Sequence, residues 1–285
     1  TGNAALGYNS LGTNTSGIRN TAIGSQALEA NSTADYNTAV GWRSLQNNST
    51  GTENTAVGYY SLVSNTTGNY NTAHGGGALQ NNTTASRNTA VGWYAGYWNT
   101  TGASLTAVGI GALSSNTTGS YNTAVGRDAL RYYTVSNNTA LGYQAGFSNT
   151  TGSYNTIIGR QAAYTFNNSS AGNTIIGDQA GYSLTTGYGN NFFGGGYNAA
   201  GYYVTTGNYN TILGGYTGNN GGLDIRTANN YIVLSDGDGN PAAYRDTNDA
   251  WHFGIGGTAG NTSGDAVTAP TLGQYYWAKD STIRI

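Results

Sequence analysis

Asn-Thr-Ala-Val-Gly and its close variants recur along this chain, and the spacing of their glycines constrains the fold more than any other feature. The glycines stand at 7, 24, 41, 58, 75, 92, 109, 126, 142, 159, 177, 194 and 214. Seven intervals of 17 residues are followed by intervals of 16, 17, 18, 17 and 20. An Asn followed by Ser or Thr keeps the same beat at 14, 31, 48, 65, 82, 99 and 116, and again at 149. A period this short, with two turn signals, is too small for a propeller blade or a helix pair and suits one coil of a β-solenoid or β-roll. The expected fold is all-β: a β-solenoid/β-roll repeat domain of about 13 coils over 1–214, then a small C-terminal β-hairpin region over 215–285. The last 71 residues hold seven acids and four bases, and this rise in charge sets the boundary near 215.

Each coil reads as a short strand (NTAVG), a tight turn at Gly, a second short strand ending in pairs such as Ala27-Leu28 or Ser44-Leu45, and a turn of the NTTG type. Side chains alternate across a strand, so Thr and Val share one face and Ala takes the other. A two-stranded coil has a narrow lumen suited to Ala, Ser or Gly. The Ala row is therefore expected inside and the Val/Ile/Leu row outside, where it needs a covering surface; this argues for oligomerisation. Stacked Asn side chains are expected to form amide ladders from coil to coil. Turn chemistry at a fixed repeat position also accounts for the in-phase Asn-x-Ser/Thr triplets, which otherwise look like glycosylation acceptors.

Composition sharpens this picture. Only 8 % of the 285 residues are charged, and Leu, Ile, Val and Phe together number 43, which is sparse for a globule. Yet the chain carries 24 Tyr, 5 Trp and 5 Phe, too many aromatics for a solvated coil. A formal net charge of −2 without a Lys/Arg run gives no footprint for nucleic acid, and no apolar stretch is long enough for membrane insertion as a helix. The absence of Cys removes disulfides and thiolate chemistry. The chain contains no Met, from which we expect a processed product or a piece of something longer.

The NTAVGxxAL pattern resembles the head repeats of trimeric autotransporter adhesins, and more closely the repeat region of bacteriophage tail-fibre proteins with NTAxGxxAL…NTTGxYNTA arrays. The resemblance covers about residues 1–214 and implies a trimeric parallel β-roll in an extracellular fibre. Residues 229–254 resemble the strand-hairpin segment that follows such repeats in phage fibres and precedes a cleavable chaperone domain.

Several residues are candidate sites. His74 replaces the Val of its coil, so in a trimer three copies would approach one axis and hold a metal ion or an anion. Asp236, Asp238 and Asn240 form DGDGN, which alternates carboxylates as calcium loops do; without a Glu at the twelfth position, and with Pro241 following, it reads better as a hairpin turn. Aromatics after the repeat glycines, including Trp42, Trp93, Tyr94, Tyr97 and Trp98, are candidates for stacking on a ligand, the 93–98 segment being the densest. An enzyme is disfavoured, because the acids of the repeat body, Glu29, Asp35, Glu53, Asp128 and Asp178, offer no carboxylate pair, and His252 with Asp249 lacks a marked nucleophile. Ice binding is disfavoured because each strand offers one Thr, not two. The expected function is a phage tail or collar fibre that contacts the bacterial host surface through a glycan or protein. A bacterial trimeric surface adhesin and a subunit of an extracellular helical filament are the alternatives.

Overall fold

The computed structural model describes residues 2–167 and 172–253. The remainder of the expected C-terminal region, 254–285, lies outside the described residues. The chain forms a β-solenoid of about 13 turns with no helix among the described residues. Each NTAVG motif contributes one three-residue strand: β1 Ala4–Leu6, β2 Thr21–Ile23, β3 Thr38–Val40, β4 Thr55–Val57, β5 Thr72–His74, β6 Thr89–Val91, β7 Thr106–Val108, β8 Thr123–Val125, β9 Thr139–Leu141, β10 Thr156–Ile158, β11 Thr174–Ile176, β12 Asn191–Phe193 and β13 Thr211–Leu213. Consecutive strands pair in parallel and in phase, so Thr38, Ala39 and Val40 meet Thr55, Ala56 and Val57. The middle residue of β2 through β13 is buried while its neighbours reach the surface, which puts the Ala row inside and the Thr and Val rows outside.

The segment after the glycine is not the second strand expected from sequence. It is a succession of turns in which φ alternates in sign: Gln26 (φ 61) and Leu28 (φ 51) are left-handed in one coil, Arg43 (φ 56) and Leu45 (φ 50) in the next. Alternation turns successive N–H groups toward opposite neighbours. Gln26 N donates back to Tyr8 O (2.8 Å) and Leu28 N forward to Ser44 O (3.1 Å). The same turns aim Leu28, Leu45, Leu62, Leu79, Leu113 and Leu130 into the lumen, where they are fully buried. The interior is thus wider than Ala, Ser and Gly require, since it holds a buried leucine in many coils.

Two asparagine ladders run through the array. In one, Asn48, Asn65, Asn82, Asn99 and Asn116 each donate Nδ2 to Oδ1 of the Asn one coil earlier, at 2.8–3.2 Å. The second hydrogen goes to a carbonyl three residues on, as from Asn65 to Gly68 O (3.0 Å). In the other, the Asn that precedes most strands accepts at Oδ1 from the backbone N–H one coil later, as Asn20 does from Asn37 (2.9 Å); Leu105 before β7 interrupts this ladder. Buried amides are thereby largely satisfied without charge, as groups away from water must be, with Asn116 Oδ1 an exception.

The solenoid's stacking leaves no room for Cβ atoms at the strand-ending glycines. Gly58 lies at φ +131, and a Cβ there would stand 2.6 Å from Gly75 O. Beyond residue 214 the sheet continues. β14 Asn219–Asn220 and β15 Leu223–Asp224 form a small antiparallel pair, and β16 Ile232–Ser235 adds to β13 in parallel. β17 Pro241–Arg245 and β18 Trp251–Phe253 follow antiparallel.

Candidate functional site

The aromatics that follow the repeat glycines gather on one side of the coil stack. Trp42 meets Tyr60 edge-on (centroids 4.8 Å), Tyr60 meets Tyr59 (6.0 Å), and Tyr59 reaches Trp93 (5.4 Å) two coils away. That reach depends on Gly76 in the coil between, where a Cβ would stand 2.4 Å from Tyr59 Cε1. The chain of rings continues through Trp93–Tyr94, Tyr94–Tyr97 and Tyr97–Trp98 at 4.7–4.9 Å, all edge-to-face. Trp42, Trp93 and Trp98 remain about half exposed (46, 46 and 53 %). The five sequence-chosen aromatics are therefore joined in one exposed tract, with Trp42 at the end remote from Trp98.

A second tract has a different geometry. Tyr132 meets Phe147 edge-on, and Phe147, Tyr164, Tyr182 and Tyr202 then stack nearly parallel at 5.1 Å. Stacked rings cover one another's faces, whereas an edge-to-face pair covers at most one face of one ring.

Between the two tracts lies a cleft of about 360 Å³. One wall is Trp93, Tyr94, Tyr97 and Trp98; the floor is Ile110, Gly111, Ser114 and Ser115; the far wall is Asp128, Arg131 and Tyr132. Small side chains on one coil between large ones on its neighbours leave a slot two strand spacings across, about 10 Å between backbones. Asp128 folds over Gly111, where a Cβ would stand 2.5 Å from its Oδ1. Its carboxylate accepts from Arg131 (2.8 Å) and Arg127 (3.3 Å), and its side chain is 6 % exposed. Arg131 also lies 5.6 Å from the Tyr132 ring centroid.

Sequence reasoning missed Asp128, Arg131, Ser114, Ser115 and Tyr132 as cleft residues. The signal was present: written in rows of 17, Tyr94, Gly111 and Asp128 fall in one column, and Tyr97, Ser114 and Arg131 in another.

The other candidates lie elsewhere. His74 is exposed on the outward face of β5, in register with Val57 and Val91. Asp236, Asp238 and Asn240 occupy the turn between β16 and β17, as the hairpin reading requires. Asp236 Oδ1 accepts the backbone N–H of Asn240 (2.9 Å) and of Asp238 (3.0 Å), and these bonds, chiefly from Asn240, hold its carboxyl below the usual range. His252 pairs with Asp246 (3.1 Å), not with Asp249. Among the described residues no three His, Cys, Asp or Glu gather as a metal site would need. No helix among them is long and apolar enough to cross a membrane.

Compared with protein-family models, curated proteins and solved structures, the chain matches none.

Proposed function

We propose that this chain is a structural adhesion fibre protein, a phage tail or collar fibre that works outside the cell and contacts the bacterial host surface. The observation that carries the reading is the exposed edge-to-face tract from Trp42 to Trp98 on a body of stacked coils. Exposed aromatics in this number mark an interaction surface on a protein otherwise poor in large apolar groups. A stack in which every coil hydrogen-bonds to the next holds such a surface rigid. The repeat resemblance points the same way.

The fibre is proposed to be a homotrimer joined through the outward sheet face. That face carries Ile23, Val40, Val57, Val91, Val108 and their equivalents beside a row of Thr, and from β2 to β11 no charged Asp, Glu, Lys or Arg interrupts it. Three copies sharing this face would bring the His74 rings together, where an ion could bind.

The test has two arms. Sedimentation should return a particle of three 29.4-kDa chains, and a monomer sinks the trimer. Labelled protein should adsorb to a panel of bacterial cells, and failure on every strain removes the adhesion reading. Electron micrographs of continuous filaments in place of separate rods would favour the helical filament instead.

A further inference from the structure

We infer that the cleft between Trp98 and Arg131 binds a pyranose ring of an extended glycan. The inference deepens the adhesion reading and rests on it only for the source of the sugar. A pyranose has an apolar C–H face and a rim of hydroxyls, so it needs an exposed ring for one and mixed donors and acceptors for the other. The cleft supplies both on opposite walls.

Trp98 is half exposed and ends an edge-to-face tract, which leaves it free to serve as the stacking platform. The second tract cannot play that part from Phe147 onward, because its rings are stacked on one another at 5.1 Å. Across the slot, the two oxygens of the nearly buried Asp128 each accept one guanidinium bond, which holds Arg131 at the rim of the far wall. Arg131 is 41 % exposed and adds donors, while Ser114 and Ser115 bring hydroxyls to the floor. Asp128 is fixed by two guanidiniums and by Gly111 beneath it, so the polar wall is organised before any ligand arrives. A volume of about 360 Å³ lies at the small end of ligand clefts, a size for one or two rings and not a long chain.

The test uses the full chain and a panel of soluble oligosaccharides: maltohexaose, chitohexaose, xylohexaose and hexagalacturonate. Binding is read by calorimetry and tryptophan fluorescence. At least one is expected to bind, with affinity falling about tenfold in Trp98→Ala and in Arg131→Ala. Tyr197→Ala, which removes a fully exposed ring outside both tracts, is expected to bind as the parent does. Circular dichroism establishes that each variant is folded.

Failure of all four oligosaccharides to bind overturns the inference, as does unchanged affinity in folded Trp98→Ala and Arg131→Ala. If the chain adsorbs to cells and Trp98→Ala adsorbs equally well, the cleft is overturned while the adhesion reading stands. If an oligosaccharide binds and is lost in Trp98→Ala but no cell is bound, the cleft stands and adhesion falls.

Discussion

Phe192 and Gly201 share one layer of the core: a Cβ added to Gly201 would stand 2.5 Å from Phe192 Cε2. The pair belongs to a trade-off seen in many layers of the solenoid, although Ala90 with Gly96 and Ala140 with Gly146 are small at both positions, their space being filled by Leu79 and Leu130 of the preceding coil. Early layers oppose Ala22 to Leu28 and Ala39 to Leu45, and later ones Ile157 to Ala163, Ile175 to Gly181 and Phe192 to Gly201, all buried or glycine. As the strand residue grows, the turn residue shrinks. Close packing demands this, because a lumen of fixed circumference cannot hold two large side chains in one layer.

Compensation should therefore be measurable. Phe192→Ala should cost about 3–5 kcal/mol. Gly201→Leu should also destabilise by overpacking, although its φ of +64 is close to that of the native leucines at this position. The double variant should recover most of both losses. Additive losses in a double-mutant cycle by denaturant unfolding would contradict this trade-off.

Asn65→Ala should break the ladder in both directions. It strands Asn48 Oδ1 and removes one of the two acceptors of Asn82 Nδ2, leaving it only Ala85 O. A stranded buried group costs about 1–3 kcal/mol, so a loss in that range is expected in thermal unfolding. Wild-type stability would show that water replaces the lost amide.

Tyr133→Phe should behave in the opposite way. Tyr133 stands where the ladder would continue after Asn116; Asn116 Oδ1 is buried without a hydrogen-bond partner, and the buried Tyr133 hydroxyl lies beside Asn149 without forming a hydrogen bond of good geometry. Removing that hydroxyl should leave the melting temperature unchanged or raise it. A drop equal to that of Asn65→Ala would mean the hydroxyl has a partner after all.

Gly58→Ala should disturb stacking locally, since its Cβ would meet Gly75 O at 2.6 Å and its backbone lies at φ +131. Both the clash and the strain act on the β4–β5 junction. Hydrogen exchange should show lost protection there before distant coils respond, and uniform protection would refute it.

Acid should loosen the C-terminal hairpin region before the array. Hydrogen bonds hold three carboxyls below their usual range: Asp224 through Arg226, Asp236 through the Asn240 N–H, and Asp246 through His252. A depressed folded pKa gives stability that is present above the unfolded value of about 4 and is lost as pH falls through the folded one. The asparagine ladders do not titrate. Amide exchange should thus show protection of β16 and β17 falling below about pH 4 while that of β3 to β8 persists. Simultaneous loss in both would defeat this.

Much of the fold was legible in sequence, because strand, glycine and turn recur on one beat and a parallel stack requires equal coils. Thr-Ala-Val placed Ala39 inside and Val40 outside by alternation alone. The Asn ladders followed from Asn at a fixed interval. The cleft was only half legible: Trp93 to Trp98 stand out as a cluster, but Asp128 and Arg131 lie 30 or more residues away.

What the sequence determined by itself was the period, the position of the strand at each Asn-Thr-Ala-Val-Gly motif and the inward face of that strand, since these depend on local alternation and on which residues tolerate a turn. What only the tertiary structure decided was the path after each glycine and everything that path controls. Whether Leu28 points into the lumen depends on left-handed turns that non-glycine residues adopt only when neighbouring coils accept their hydrogen bonds. Which side chains then share a layer, as Phe192 and Gly201 do, or face each other across a slot, as Trp98 and Arg131 do, follows from coils touching in space.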